Sequence, residues 1–187
     1  MRKTYQDQLV PTAEQEDALA CVVRRCRELY TAGLQERRSA WQQCGVSSTA
    51  ASQRAQLPAL KDVRPESEYR EVHAQVLHDV LTRLDRAFAA CLRRVQAAET
   101  PGYPRLHSAN RYHSFTYQQL GTGATLDNGL LVLAKLGRRA VRWSGLREGG
   151  HAQDGHHQPA SRWLVRLFLV CGSTHRAASR HRPGNRY

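Results

Sequence analysis

The chain has no Cys-x-x-Cys pair, no apolar run long enough to cross a bilayer, and after Asp154 not one Asp or Glu. Each absence removes a class of function. Its five cysteines (21, 26, 44, 91 and 171) are odd in number and spaced for neither a disulfide framework nor a zinc site. Cys21, Cys26 and Cys91 fall on apolar helical positions, where a thiol serves as a small buried hydrophobe. The run RWLVRLFLVC near the end is too short to span a membrane and is broken by Arg166, and there is no signal peptide, so a cytoplasmic location is expected. Gly121-Thr122-Gly123 and Gly149-Gly150 are too short for phosphate loops and lack the lysine such loops need. His73 and His78 are not four apart with a Glu between, which excludes a metalloprotease helix. His151, His156, His157, His175 and His181 are irregularly spaced, with no acidic or cysteine partner to share a metal.

Acidic residues are scarce throughout. Lys and Arg number 28 against 16 Asp and Glu, for a formal charge of +12 and a pI near 10.2. That excess favours a polyanionic partner through the sequence-independent phosphate term. Arginine dominates, which suits bidentate phosphate contacts, but a GC-rich genome yields the same bias without function. At 187 residues there is room for one sizeable domain, or one domain carrying an insertion.

What is present divides by period. Residues 2–10 alternate loosely up to Pro11, as in a short strand. Thr12-Ala13-Glu14-Gln15 has capping-box spacing and opens a helix to about Gln43. Leu19, Val22, Val23, Cys26, Tyr30, Leu34 and Trp41 form its apolar face, flanked by arginines at 24, 25, 27, 37 and 38. Residues 44–66 are expected to be a loop with one helical turn near Ala50 to Leu57, closed by Pro58 and Pro65. A second helix is expected from Ser67 to Ala98. Val72, Val76, Val80, Leu84, Phe88 and Leu92 make its ridge, with Leu77, Leu81, Cys91 and Val95 beside them.

From Pro101 the pattern becomes β-like. SFTYQQL and GLLVLAKL are expected strands with Asp127-Asn128-Gly129 turning between them, and Arg138 to Trp143 a further strand. Basic residues interleaved with aromatics suit a surface that neutralises phosphates and stacks bases, although a solvated basic hairpin explains the pattern equally well.

In order along the chain stand Tyr5, Leu9-Val10-Pro11-Thr12-Ala13-Glu14-Gln15, Cys26-Arg27, Tyr30, Gln75-Val76-Leu77 and Leu84-Asp85-Arg86-Ala87-Phe88. Gly102-Tyr103-Pro104-Arg105, Ser114-Phe115-Thr116-Tyr117, and Lys135-Leu136-Gly137 through Val141-Arg142-Trp143 follow. Over residues 1–143 this order resembles the N-terminal half of the transposon-encoded OrfB/TnpB proteins, RNA-guided DNA endonucleases related to type V CRISPR effectors. Thr31 departs from the family's usual Asn, and Leu106-His107 from its usual Phe-Lys, which puts one basic contact in doubt.

The resemblance implies an α+β fold, a small, incomplete oligonucleotide-binding-like β-barrel (the wedge domain). A helical recognition insertion of two long helices would interrupt it. Residues 1–11 would supply the first strand, 12–99 the insertion, and 100–143 the remaining strands. The implied partners are guide RNA and/or transposon DNA, held through backbone shape and charge, with no membrane and no small-molecule substrate. Candidate contacts are Lys3, Tyr5, Tyr103, Arg105, Arg111, Tyr112, Tyr117, Lys135, Arg138, Arg139 and Arg142.

The family's divalent-metal nuclease site and zinc ribbon have no ligands here, so no catalytic residue, metal or cofactor is expected and the chain should not cut DNA. An independent small regulator of transposition and a poorly folding pseudogene product are the alternatives.

Residues 144–187 hold five of the nine histidines, seven arginines and no lysine, and are expected to be an aberrant, poorly ordered tail. Reverse-translated with free codon choice and read one nucleotide later, residues 151–187 permit strings resembling the family's continuation up to its first catalytic Asp. A frameshift between about Trp143 and His151 is the expectation.

Overall fold

Thr12 starts the longest element. The computed structural model describes residues 8–63, 68–118, 121–127, 130–142 and 165–168. Strand β1 (Gln8–Val10) leads into helix α1 (Ala13–Cys44). The Gln15 amide donates to Thr12 Oγ1 at 3.4 Å, and the Thr12 amide donates to Gln15 Oε1 at 3.2 Å, closing the capping box that the spacing predicts. Gly45, with φ 66°, ends the helix in the left-handed region, its N–H returning to the Trp41 carbonyl at 3.0 Å. Leu19, Val22, Cys26, Leu29, Tyr30 and Leu34 form the buried face. Trp41, expected on that face, is instead 65% exposed.

Three helices stand where two were expected. Residues 50–63 form a 14-residue helix, α2 (Ala50–Val63), rather than a loop with one turn. A reciprocal cap starts it: the Ser52 amide donates to Thr49 Oγ1 (3.3 Å) and the Thr49 amide to Ser52 Oγ (3.1 Å). Pro58 sits inside, at an interior cost of about 3 kcal/mol. Buried Ala50, Gln53 and Leu57, with Leu60 half-buried, share one face, and their burial against the core offsets that cost.

The third helix, α3 (Ala74–Gln96), starts seven residues later than expected. A 3-10 turn at Glu68–Arg70 precedes it, anchored where Arg70 donates to the Lys61 carbonyl and Asp62. His73 caps α3 by accepting the Gln75 amide on Nδ1 at 3.4 Å. Val76, Leu77, Val80, Leu81 and Leu84 are buried, on a helix that packs against α1, α2 and the strand at Ser114–Tyr117. Farther along, Leu92 and Val95 are 60% and 54% exposed, so the expected ridge outruns its cover.

The strands are β2 (Ser114–Tyr117), β3 (Ala124–Asp127), β4 (Leu130–Leu133), β5 (Gly137–Arg142) and β6 (Val165–Phe168). β1, β5, β4 and β3 form one antiparallel sheet in that order, and β2 pairs with β6 in another. The hairpin partner of β4 is therefore β3, which lies between the two expected strands, and not β2. Asp127 lies opposite Leu130; Asn128 and Gly129 of the expected turn lie outside the described residues.

Of the expected disordered tail, Val165–Phe168 pairs with β2, Ser114 opposite Phe168. This departs from the expectation, because an unpaired β2 edge would leave ladder donors and acceptors without partners. The rest of 144–187 and the proposed frameshift junction lie outside the described residues. No described helix is long and apolar enough to cross a membrane.

Arg83, ion-paired within α3, ties that helix to β2 by hydrogen bonds. Arg83 Nε donates to Asp79 Oδ2 at 2.7 Å, and its other nitrogens donate to the Ser114 carbonyl (2.9 Å) and Thr116 Oγ1 (2.5 Å). Gln118 Nε2 satisfies the second Asp79 oxygen at 3.1 Å. Around it, Phe115, Tyr117, Leu131 and Leu133 join the helical residues in one core.

Candidate nucleic-acid interface

The basic end of the sheet is built by a tight connection. Ala134 to Leu136 join β4 to β5, with the Leu136 amide returning to the Leu133 carbonyl at 3.0 Å. Lys135 (φ 74°) and Gly137 (φ 79°) both sit in the left-handed region; glycine takes it freely, whereas a side chain at Lys135 is strained. Lys135 and Arg138 are exposed. On β5, Arg138 lies opposite Val132, Arg139 opposite Leu131 and Arg142 opposite Gln8. Gln15 Nε2 donates to the Arg138 carbonyl at 3.2 Å, fixing the basic strand to the first turn of α1.

The aromatic half of the expected interface divides. Tyr103 is 50% exposed, with its ring edge-on to Phe88 at 5.6 Å. Arg105 and Arg111 are exposed. Tyr112 and Tyr117 are not available to a base, because both are buried. Tyr117 donates to the Ala134 carbonyl at 3.0 Å, holding the β4–β5 connection from inside. Tyr112 packs against Tyr30 and His107, and its hydroxyl has no partner among the described residues. Burial, then Cys26, pushes the Tyr112 phenol up. Alternation cannot reveal which strand face is covered when both are, and all four residues of β2 are buried. Lys3 and Tyr5 lie outside the described residues.

Burial pushes the Cys26 thiol up to about 12, countered in part by Arg83, so it is an inert core group. Among the described residues no three His, Cys, Asp or Glu side chains converge where they could hold a metal.

A second feature has no signature in the sequence pattern. Arg37 is buried, donating from Nε to Gln53 Oε1 (3.0 Å) and from Nη1 to Asp85 Oδ1 (3.1 Å), with its guanidinium 5.1 Å over the Phe88 ring. Beside it Arg38, Trp41, Leu92 and Tyr103 line an open groove of about 850 Å³. Spacing alone assigns Trp41 to the core.

Residues 1–45 match the family described as a helix-turn-helix domain, that of IS605-type OrfB. None of the curated proteins matches the chain. Over the matched residues the chain forms β1 and an unbroken α1; the first turn between helices is Gly45 to Thr49, at the edge of the match. Over residues 1–45, about a quarter of its length, the chain is thus similar to the helix-turn-helix domain of IS605-type OrfB.

Proposed function

We propose that this chain binds nucleic acid, guide RNA or transposon DNA, mainly through the phosphate backbone and does not cleave it. It is the N-terminal portion of an OrfB/TnpB-type transposase without the RNase H-like nuclease.

The observation that carries this is the pairing of β1 with β5, Gln8 opposite Arg142 and Val10 opposite Ala140. It brings the strand holding Arg138, Arg139 and Arg142 onto the segment that matches the transposase family. On this reading the four-stranded sheet belongs to an oligonucleotide-binding-like barrel, and α1 to α3 are its helical insertion between β1 and β2. On this reading affinity comes from charge and is independent of sequence. A lost reading frame between about Trp143 and His151 is part of the proposal, and the gene's codons for residues 151–187 test it.

The binding test is a salt titration. Log affinity for a duplex or structured RNA should fall linearly with log salt. Replacing Arg138, Arg139 and Arg142 with Ala should flatten the slope by about 0.7–0.9 for each phosphate no longer neutralised. Affinity indifferent to both salt and these arginines would sink the proposal. Plasmid incubated with Mg²⁺ or Mn²⁺ should stay intact, and specific cleavage that scales with protein would contradict the inert reading.

A further inference from the structure

The groove at the far end of the helical unit is lined by three elements. α1 contributes Arg37, Arg38 and Trp41, the segment leading into α2 contributes Ser47 to Thr49, and α3 contributes Phe88 and Leu92; Tyr103 closes one side. Its volume, about 850 Å³, falls in the range of small-ligand sites, roughly 300–1,000 Å³.

Three observations on different atoms point to its occupant. Trp41 at 65% and Tyr103 at 50% exposure leave ring surface open to solvent. The Arg37 side chain is 6% exposed, yet its Nη2 has no acceptor among the described residues, while Nε and Nη1 are both paired. A buried guanidinium donor without an acceptor is costly and marks a missing partner. Third, the groove is bordered by the N-terminus of α2, where Thr49 Oγ1 takes the Ser52 amide and the amides of Ala50 and Ala51 remain to favour an anion. Exposed Arg38 adds a positive charge, and Asp85, an acid on the rim, is held by Arg37.

We infer that this groove takes one unstacked nucleotide of a single strand, its base on Trp41 and Tyr103, its phosphate at Arg38 and the α2 N-terminus. The buried Arg37 guanidinium behind the groove, with Nη2 lacking an acceptor among the described residues, favours an occupant that carries acceptor atoms. An apolar peptide would cover Trp41 and Leu92 but leave both the guanidinium and the helix end unmatched. The basic residues 169–187 would meet Arg38 with like charge. The inference rests on the nucleic-acid reading above and adds to it a preference for single strands.

The test uses the full chain with Trp143→Phe and Trp163→Phe, leaving Trp41 as the sole tryptophan reporter. Should those changes impair folding, the Trp41 indole N–H signal in the unaltered chain gives the same readout. Uridine 5′-monophosphate and a short oligouridylate should saturably perturb Trp41, whereas ribose 5-phosphate and inorganic phosphate should not. Trp41→Ala should weaken single-strand binding about ten-fold and change binding to a duplex of equal length less than about two-fold.

An equal response to inorganic phosphate would reduce the groove to an anion site and overturn the inference. So would a Trp41 response to an apolar helical peptide but not to nucleotides. Unchanged single-strand affinity in Trp41→Ala would refute the groove while leaving backbone binding by β5 intact. Failure of the unaltered chain to bind any nucleic acid at low salt would remove the functional reading itself.

Discussion

Asp79 and Arg83, one turn apart on α3, show what a charged pair does when it sits between layers. Asp79 is buried and receives Arg83 and Gln118, while Arg83 also holds the backbone and a hydroxyl of β2. Removing one partner strands the other in a poorly solvated place. Asp79→Ala should cost about 3 kcal/mol, read as a lowered urea midpoint. Tyr117→Phe removes the hydroxyl that donates to the Ala134 carbonyl and should cost about 1 kcal/mol. Its nucleic-acid affinity should not change, because the ring is buried; a clear loss of affinity would return Tyr117 to the interface. Both tyrosines on this stretch look alike in sequence to Tyr103. What separates them is cover, and cover is supplied by α1, α3 and β6 from far along the chain.

At the scale of elements, helix ends are where sequence was most and least readable. The Thr12–Gln15 box was legible because both partners are local. The α2 start used Ser52 where a Glu or Gln is the usual signal, and its run through Pro58 depends on burial that no local pattern reports.

The α3 cap is a titratable one. Burial first, then Lys61 and Lys135, lower the His73 pKa below its ordinary 6.5. His78 and His107 are also lowered, burial leading, with Arg54 and Lys61 acting on the first and Arg111 on the second. A lowered folded pKa means the neutral form is favoured in the fold. The stability this contributes is present above pH 6.5 and lost as pH falls through the folded values. The urea midpoint should therefore decline on acidification below about pH 6.5. His73→Asn keeps a cap without a titration and should shallow that decline; an unchanged pH profile would show the cap to be irrelevant.

For the whole molecule, a formal charge of +12 acts against compactness as well as for polyanion binding. Raising salt from low to physiological strength should raise the melting temperature while weakening nucleic-acid affinity, opposite responses to the same screening. A melting temperature that falls over that range would show attractive pairs outweighing repulsion.

By itself the sequence determined the α+β class, the first helix with its cap, a strand expected at residues 138–143 and found at 137–142, and the surplus of positive charge. These rest on neighbours in the chain or on simple sums. The tertiary structure alone decided that residues 50–63 are a helix, that β4 turns back to β3, and that Tyr112 and Tyr117 are core. It alone decided that the apolar stripes of α1 and α3 run past each other's cover, leaving Trp41 and Leu92 open beside Arg37. Periodicity marks which residues share a face. Whether that face is covered depends on where another element ends, and that is set by packing across tens of residues.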